Sequence, residues 1–388
     1  MMMKERLLRE FAERFGNAEG AQVYFAPGRV NLIGEHIDYN GGHVFSCTLD
    51  IGTYAVVRKR QDQRLFFYSM NYPDVGIINC SLANGLENDE EDGWANYPKG
   101  VIWAFGKRGM QPDCGLDMMV YGNIPSESGL SSSASLEVLT GWVLRDIFDF
   151  EVSDQDIAWI GQYSENEFNG VNGSIMDQFA IAIGRENHAI YLNAEDLSHR
   201  YIPIHLDGVQ LVIACTNKER DLADSKYNLR RMECERAVAD LQKAVAIEKL
   251  GELSQNDFEA CQSAIEDPVC IRRARHAVTE NERTIQAVEA LESNDLDTFG
   301  QLMNDSHRSL RDDYEVTGDE LDALVEAAWE TEGVLGSRMT GAGFGGCTIS
   351  LVRTDDVDNF IKKVGRSYRQ QIGYPADFYI CKIGGGPV

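Results

Sequence analysis

The sequence predicts an α+β fold in two domains. Segments with strand character and segments with helix character are unevenly mixed along the chain, without the strict alternation of a doubly wound sheet. The character of the chain also changes near residue 200. A length of 388 residues exceeds what one hydrophobic core ordinarily supports, and a hydrophobic content of 43% is enough for two. The division is expected close to residue 195, giving an N-terminal domain over 1–195 and a C-terminal domain over 196–388.

The elements follow in order. The first residues, Met1 to Phe11, read as an amphipathic helix. Residues 22–33 and 43–59 are rich in β-branched and aromatic side chains and read as strands around a polar loop. Arg64–Ser69 and Gly76–Cys80 are further strands. Trp94–Phe105 has helical spacing, and Leu116–Tyr121 is a strand. Ser132–Phe148 places Leu136, Val138, Leu139, Trp142, Val143 and Ile147 at three-to-four spacing, so a helix is expected there. Asp154–Phe168 is a second helix, and Ala180–Ile183 and His188–Leu192 are extended. Past residue 200, Gln210–Thr216 is an apolar strand. Residues 224–250 and 271–310 are charged and helical, residues 342–352 are glycine-rich and then strand-like, and Phe378–Lys382 is a last strand. There is no internal repeat.

A formal net charge of −26 argues against nucleic acid and anionic membranes as partners, since both are held by clustered cations. Apolar runs such as Leu211–Cys215 are too short to span a bilayer. The N-terminus lacks an apolar signal core. The nine cysteines are odd in number, scattered, and never spaced Cys-x-x-Cys, which predicts reduced thiols and a cytoplasmic setting. The acidic run Glu87–Asp92 reads as a solvated loop. A monomer acting on small molecules is the expectation.

Three clusters carry chemistry. In residues 125–136, Pro-Ser-Glu-Ser-Gly-Leu-Ser-Ser-Ser-Ala-Ser-Leu, a glycine-containing loop runs into the Ser132–Phe148 helix. A helix N-terminus offers unpaired N–H groups and a positive dipole end, and so suits phosphate. The plainer alternative is a helix capped by its serines. In residues 26–43, Glu35, His36 and Asp38 fall within four positions of a polar loop, a density of hydrogen-bonding groups that a buried polyol site requires. In residues 170–179, Asp177 lies among apolar residues. A cation such as Arg29 would hold it ionised, or it caps a helix starting near Gln178. Glu165 is a further carboxylate within reach of Mg²⁺. Gly341–Gly346 spells Gly-x-Gly-x-x-Gly, but a strand follows it, so a dinucleotide-binding turn is disfavoured and a close backbone approach remains. No Gly-x-x-x-x-Gly-Lys-Ser/Thr phosphate loop is present.

Taken together, these motifs resemble the GHMP kinases, and within them the galactokinase family, over nearly the whole chain. The resemblance rests on residues 28–40, residues 129–135, Ile175-Met176-Asp177-Gln178 and residues 339–347, with Trp94-Ala95-Asn96-Tyr97 and Ser225-Lys226-Tyr227-Asn228 adding to it. It implies a GHMP architecture: an N-terminal mixed-sheet domain carrying the phosphate-loop helix, and a ferredoxin-like C-terminal domain. It also implies ATP-dependent phosphorylation of D-galactose at the anomeric hydroxyl, with Mg²⁺. By motif position, Asp177 and Arg29 would be catalytic. Glu35, His36, Ile37, Asp38, Asp177 and Tyr227 would meet the sugar. Glu127, Ser128, Gly129, Leu130, Ser131, Ser132 and Ser133 would wrap the phosphates, Ser69 and Trp94 would border the nucleotide, and Ser133 with Glu165 would hold Mg²⁺.

The chain departs from the family pattern at three places. Glu127 replaces a glycine, and its side chain is expected to face away from the phosphates. Ser174 stands in a Gly-Ile-Met-Asp-Gln motif and would narrow the sugar pocket. Ile37 replaces a threonine. The rival readings are a sugar-1-kinase for galacturonate, arabinose or N-acetylgalactosamine, and a non-catalytic galactose sensor. Ser133-Ala134 is intact here, which disfavours the sensor.

Overall fold

A computed structural model describes residues 2–125, 129–171, 173–218 and 223–388. The N-terminal half contains α1 (Met2–Phe15), β1 (Gln22–Ile33), β2 (His43–Lys59), β3 (Arg64–Ser69), β4 (Ile78–Ser81), α2 (Asn96–Lys107), β5 (Leu116–Gly122), α3 (Ser132–Phe148), α4 (Asp154–Tyr163), α5 (Met176–Ala182), β6 (His188–Asn193) and β7 (His199–Pro203). The C-terminal half contains β8 (Val209–Cys215), α6 (Ala223–Leu241), α7 (Gln255–Cys261), α8 (Pro268–Glu292), α9 (Leu296–Ser309), α10 (Asp319–Trp329), β9 (Val334–Thr340), β10 (Cys347–Arg353), α11 (Val357–Ile372) and β11 (Asp377–Cys381).

The first sheet has seven strands in the order β4-β3-β5-β2-β6-β7, with β1 also paired to β2. It is mixed, because β3 and β5 run parallel while the remaining pairs are antiparallel. The second sheet is antiparallel in the order β11-β8-β10-β9, and its chain order, strand-helices-strand-strand-helix-strand, is the ferredoxin-like arrangement. The sheets change between Pro203 and Val209. The expected boundary at 195 falls instead in the turn of the β6–β7 hairpin, which belongs to the first sheet.

The cores explain why the halves stay together. One apolar cluster runs from Val44, Phe67 and Leu139 in the N-terminal half to Leu241, Phe258, Tyr314 and Met339 in the C-terminal half. A second joins Val30, Ile33 and Phe45 to Leu211, Ile349 and Met303. β1 enters both, and from Ala26 to Ile33 each of its residues is buried. That makes β1 a rigid platform, and functional groups projecting from it or from its ends are held in place.

Three expectations are corrected. Ala180–Ile183 is not extended: Ala180 to Ala182 close α5. A short run buried on every side has no periodicity to separate strand from helix. Residues 271–310 form two helices, because Asn294 adopts φ 56° and the Asp295 side chain caps α9 by accepting from Thr298 N–H at 3.0 Å. Third, Cys215 and Cys347 are joined as a disulfide. They lie 132 residues apart, but the β8–β10 register sets them face to face with Cα atoms 4.2 Å apart. The other seven thiols are free, as expected.

Candidate active site

Arg29 leaves β1 at a register shift between Pro27 and Arg29. Its Nε and Nη2 donate to Asp177 Oδ1 and Oδ2, both at 2.8 Å, a bidentate charge-assisted pair. Its Nη1 donates to the Gly129 carbonyl at 2.6 Å. Asp177 sits in the first turn of α5, with 29% of its side chain exposed against 6% for Arg29. The carboxylate is therefore open to solvent on one side while the guanidinium is sealed behind it. Ser131 Oγ also donates to Asp177 Oδ2.

That last contact changes the reading of α3. Ser131 is its N-cap residue at φ 58°, yet its side chain makes no capping hydrogen bond. The hydroxyl is turned to Asp177, so the serine cap weighed from the sequence does not form. Orphan N–H groups at the start of α3 are left available to an anion. Gly129 beside it has φ 74°. A Cβ on Gly341 would lie 3.3 Å from Gly129 O, which explains a glycine where the 341–346 loop crosses the serine loop. Glu127, Ser128 and Asn172 lie outside the described residues, and the expectation for the Glu127 side chain lies there with them.

Ser133, one residue into α3, donates to Glu165 Oε1 at 3.3 Å. Glu165 lies in a π-turn over residues 164–168 that continues α4. Gln178 Nε2 donates to both Glu165 Oε2 and Glu137 Oε2, each at 2.9 Å, and so spans two carboxyl groups with one amide. Burial pushes the Glu165 carboxyl up, and the Asp177 charge adds to it. Burial raises Glu137 well above the usual carboxylate range, with the Glu165 charge acting the same way.

Two cavities meet at the Ser133–Glu165 contact. One, of about 290 Å³, is lined by Arg29, Asn31, Glu35, His36, Asp38, Glu165, Ser174, Asp177, Tyr227, Gly341 and Ala342. The other, of about 370 Å³, is lined by Ser69, Asn71, Tyr72, Trp94, Tyr97, Ile124, Ser132, Ser133 and Leu136. The first is polar and acidic, and the second carries aromatic walls. Ser69 and Trp94 thus fall in a cavity that ends on the first turn of α3.

In the polar cleft, Glu35 is fully buried. Its Oε2 accepts from Arg338 Nη2 at 2.6 Å, and its Oε1 from Gly341 N at 2.7 Å and Thr340 Oγ1 at 3.2 Å. Burial pushes its carboxyl up, and Arg338 opposes that. Asp38 is also pushed up by burial, opposed first by a hydrogen bond from the Ser174 hydroxyl. Ser174 therefore stands in the cleft, against Asp38. Tyr227 sits with its ring 5.5 Å from that of His36.

Two side chains expected to meet the sugar are already engaged elsewhere. Ile37 turns fully into the apolar core, as an aliphatic group must, so the cleft wall is not formed by its side chain. His36 lines the cleft, but both ring nitrogens are already occupied, Nδ1 at 2.9 Å from Tyr39 OH and Nε2 at 3.1 Å from Ala342 O. Sequence reasoning missed Arg338, Tyr39, Tyr314, Gln178 and the contact of Ser131 with Asp177. Arg338 left a signal: an arginine inside an apolar strand needs a buried acid.

His36 and His276 give an acid-stability prediction. Burial holds them at about 3 and about 4, below the ordinary 6.5. Both are neutral in the folded protein while the unfolded chain takes up protons below 6.5. Stability is thus intact above 6.5 and falls with pH between 6.5 and 4, by at most about 1.4 kcal/mol per pH unit for each histidine. Urea unfolding at pH 7 and pH 5 measures this, and His36→Asn, which tolerates φ 62°, is expected to reduce the slope.

A cleft built from both halves, with an ion-paired aspartate beside an uncapped helix N-terminus, has the parts a small-molecule kinase needs, and the matches to known proteins place it in the GHMP class. Residues 96–185 match the GHMP kinases N terminal domain and residues 287–370 the GHMP kinases C terminal. A mevalonate kinase of Methanococcus jannaschii shares the fold at a TM-score of 0.68 and 19% identity, over 94% of this chain and 98% of that one. Residues 9–59 match the galactokinase galactose-binding signature. The galactokinase of Clostridium beijerinckii is 54% identical over 97% of this chain and 96% of its own length, and that of Bacillus subtilis is 53% identical over 99% and 98%. The structure of Lactococcus lactis galactokinase complexed with galactose superposes at a TM-score of 0.95, with 46% identity over 100% of this chain and 99% of that one. The chain belongs to the galactokinase family.

Proposed function

We propose that this protein transfers the γ-phosphoryl group of ATP to the anomeric hydroxyl of D-galactose. The observation that carries the reading is the meeting of the two cavities. The Arg29–Asp177 pair lines a sugar-sized polar cleft, and Glu165 on its wall accepts a hydrogen bond from Ser133 on the wall of an aromatic-lined cavity at the start of α3 suited to a nucleotide base.

Asp177 accepts from Arg29 twice and from Ser131 once. A carboxylate offers about four lone-pair sites, so one remains for the sugar hydroxyl. Held there, the hydroxyl oxygen bonds to the γ-phosphorus as the bond from phosphorus to ADP breaks, and its proton passes to Asp177. Arg29, fixed beside the reacting oxygen, offsets the negative charge at the phosphoryl group. Mg²⁺ fits Ser133 and Glu165, since a hydroxyl and a carboxylate 3.3 Å apart supply the hard oxygen donors it prefers. When bound, it neutralises phosphate charge. Ser133→Ala is expected to raise the Mg²⁺ concentration needed for half-maximal activity by about tenfold or more, with a matching loss in calorimetric Mg²⁺ titration.

The cleft favours a neutral sugar. Among the described lining residues the carboxyl groups of Glu35, Asp38, Glu165 and Asp177 outnumber the cation Arg29, and the nearby Arg338 is already paired with Glu35, so a uronate is disfavoured. Measuring ADP release across galactose, galacturonate, arabinose and N-acetylgalactosamine tests the choice. Galactose is expected to give the highest kcat/KM, and another sugar outperforming it would refute the assignment. The assembled Asp177–Arg29 pair and the Ser133–Glu165 contact favour catalysis over sensing. The reading includes a cytoplasmic monomer. A formal charge of −26 supports it by keeping copies apart, and no described helix is long and apolar enough to cross a membrane.

A further inference from the structure

The proton positions in one wall of the polar cleft follow from hydrogen-bond bookkeeping. His36 Nε2 lies 3.1 Å from Ala342 O, and a carbonyl only accepts, so Nε2 carries the hydrogen. In a neutral imidazole Nδ1 is then an acceptor, and Tyr39 OH donates to it at 2.9 Å. With its hydrogen used, Tyr39 accepts from Tyr314 OH at 2.7 Å. Tyr314 in turn accepts from the Cys234 thiol at 3.2 Å. Every hydrogen in the line is assigned, and all run one way, from Cys234 through Tyr314, Tyr39 and His36 to the Ala342 carbonyl.

The line joins four parts of the molecule, with Tyr314 ending the π-turn that follows α9. His36 and Tyr39 lie in the loop after β1, Ala342 lies in the glycine loop after β9, and Cys234 lies on α6, the helix that also brings Tyr227 to the cleft. His36 itself adopts φ 62°, a strained conformation for a residue with a Cβ, and needs such support. The Tyr314 ring packs 4.9 Å from the imidazole.

We propose that Tyr39, Tyr314 and Cys234 are positioning residues of the sugar site: a one-way hydrogen-bond line that locks His36 as the Nε2–H tautomer and so pins the glycine loop and α6 against the sugar loop. The imidazole then acts as a fixed strut of the cleft and is not a donor to the sugar. Burial, together with the positive charges of Arg230 and Arg338 and the neighbouring His276, keeps the ring neutral.

The test uses the full-length protein with ¹⁵N-labelled histidine, the His36 signal being identified by its loss in His36→Asn. Long-range ¹H–¹⁵N spectra are expected to show Nε2 protonated and Nδ1 bare from pH 5 to pH 8, with no titration. Tyr39→Phe removes the donor. It is expected to shift the Nδ1 signal and to raise the galactose KM by about three- to tenfold, with kcat within about twofold. Cys234→Ser keeps a donor and is expected to preserve both spectrum and KM. A wild-type Nδ1–H tautomer, or titration of His36 in that range, would overturn the proposal whether or not the variants fold. So would a Tyr39→Phe protein whose KM is unchanged, or whose kcat falls as far as its KM rises. The KM arm rests on galactose as the substrate and the spectra do not. Failure of wild-type turnover with the expected spectrum would count against the function and leave the hydrogen-bond line standing.

Discussion

Asp177→Asn lowers kcat by about two to four orders of magnitude, the range for losing a positioned proton acceptor, while the protein stays folded. The substitution is nearly isosteric, so the first turn of α5 keeps its shape. What changes is the acceptor set. Three donors converge on this carboxylate, two from Arg29 and one from Ser131. An amide presents one oxygen and one NH₂, and that NH₂ faces a guanidinium with which it cannot pair. The amide also cannot take the proton of the sugar hydroxyl. The loss therefore falls on kcat, with a smaller change in galactose KM, because Asp38, Tyr227 and the rest of the cleft are untouched. Steady-state kinetics on the purified variant, with its thermal unfolding as a control for folding, decide the matter. Near-normal turnover would rule out any role for the carboxylate.

Arg338→Met has the second large effect, and it falls on stability. Arg338 is among the largest fully buried side chains, with Nη1 on the carbonyls of Asn31 and Leu32 at 3.2 and 3.3 Å and Nη2 on Glu35 at 2.6 Å. Methionine fills much of the volume but leaves Glu35 buried without its cation, which costs about 3–5 kcal/mol. Burial already pushes the Glu35 carboxyl up, and Arg338 is the main opposing charge, so without it the folded-state value rises further. A carboxyl raised on folding contributes fully below its unfolded value and loses that contribution as pH rises. The deficit of the variant relative to wild type is therefore larger at pH 7.5 than at pH 5. Glu35→Gln in the same chain is expected to recover much of it. Denaturant unfolding of the two single variants and the double variant measures the coupling.

These two pairs also mark how far the sequence could be read. The bounds of α3 were legible because a glycine loop, a serine run and three-to-four apolar spacing all point to Ser132 as its start. β1 and β2 were legible from long β-branched and aromatic runs. The helix α5 was legible only as the alternative of a helix starting near Gln178, since Ala180, Ile181 and Ala182 are buried all round, carry no period and read as extended. In the site, Arg29 and Asp177 were brought together by motif resemblance, and they meet across 148 residues of chain. Nothing local to Glu35 announces Arg338, 303 residues away, because the placement of β9 against the loop after β1 is a tertiary property. The same holds for the line from His36 to Cys234, and for Ser131, whose expected cap is replaced by a bond that only the placement of α5 makes available.

The central claim is that Asp177 and Arg29 deliver the anomeric hydroxyl of a neutral sugar to ATP held at the start of α3. Phosphorus NMR of the purified protein with ATP, Mg²⁺ and D-galactose tests it most directly. The expected result is one new phosphomonoester, formed one-for-one with ADP, whose phosphorus couples to the C1 proton of galactose, and which does not accumulate with Asp177→Asn. ATP hydrolysis without a sugar phosphate, or phosphate coupled to another carbon, would contradict the account.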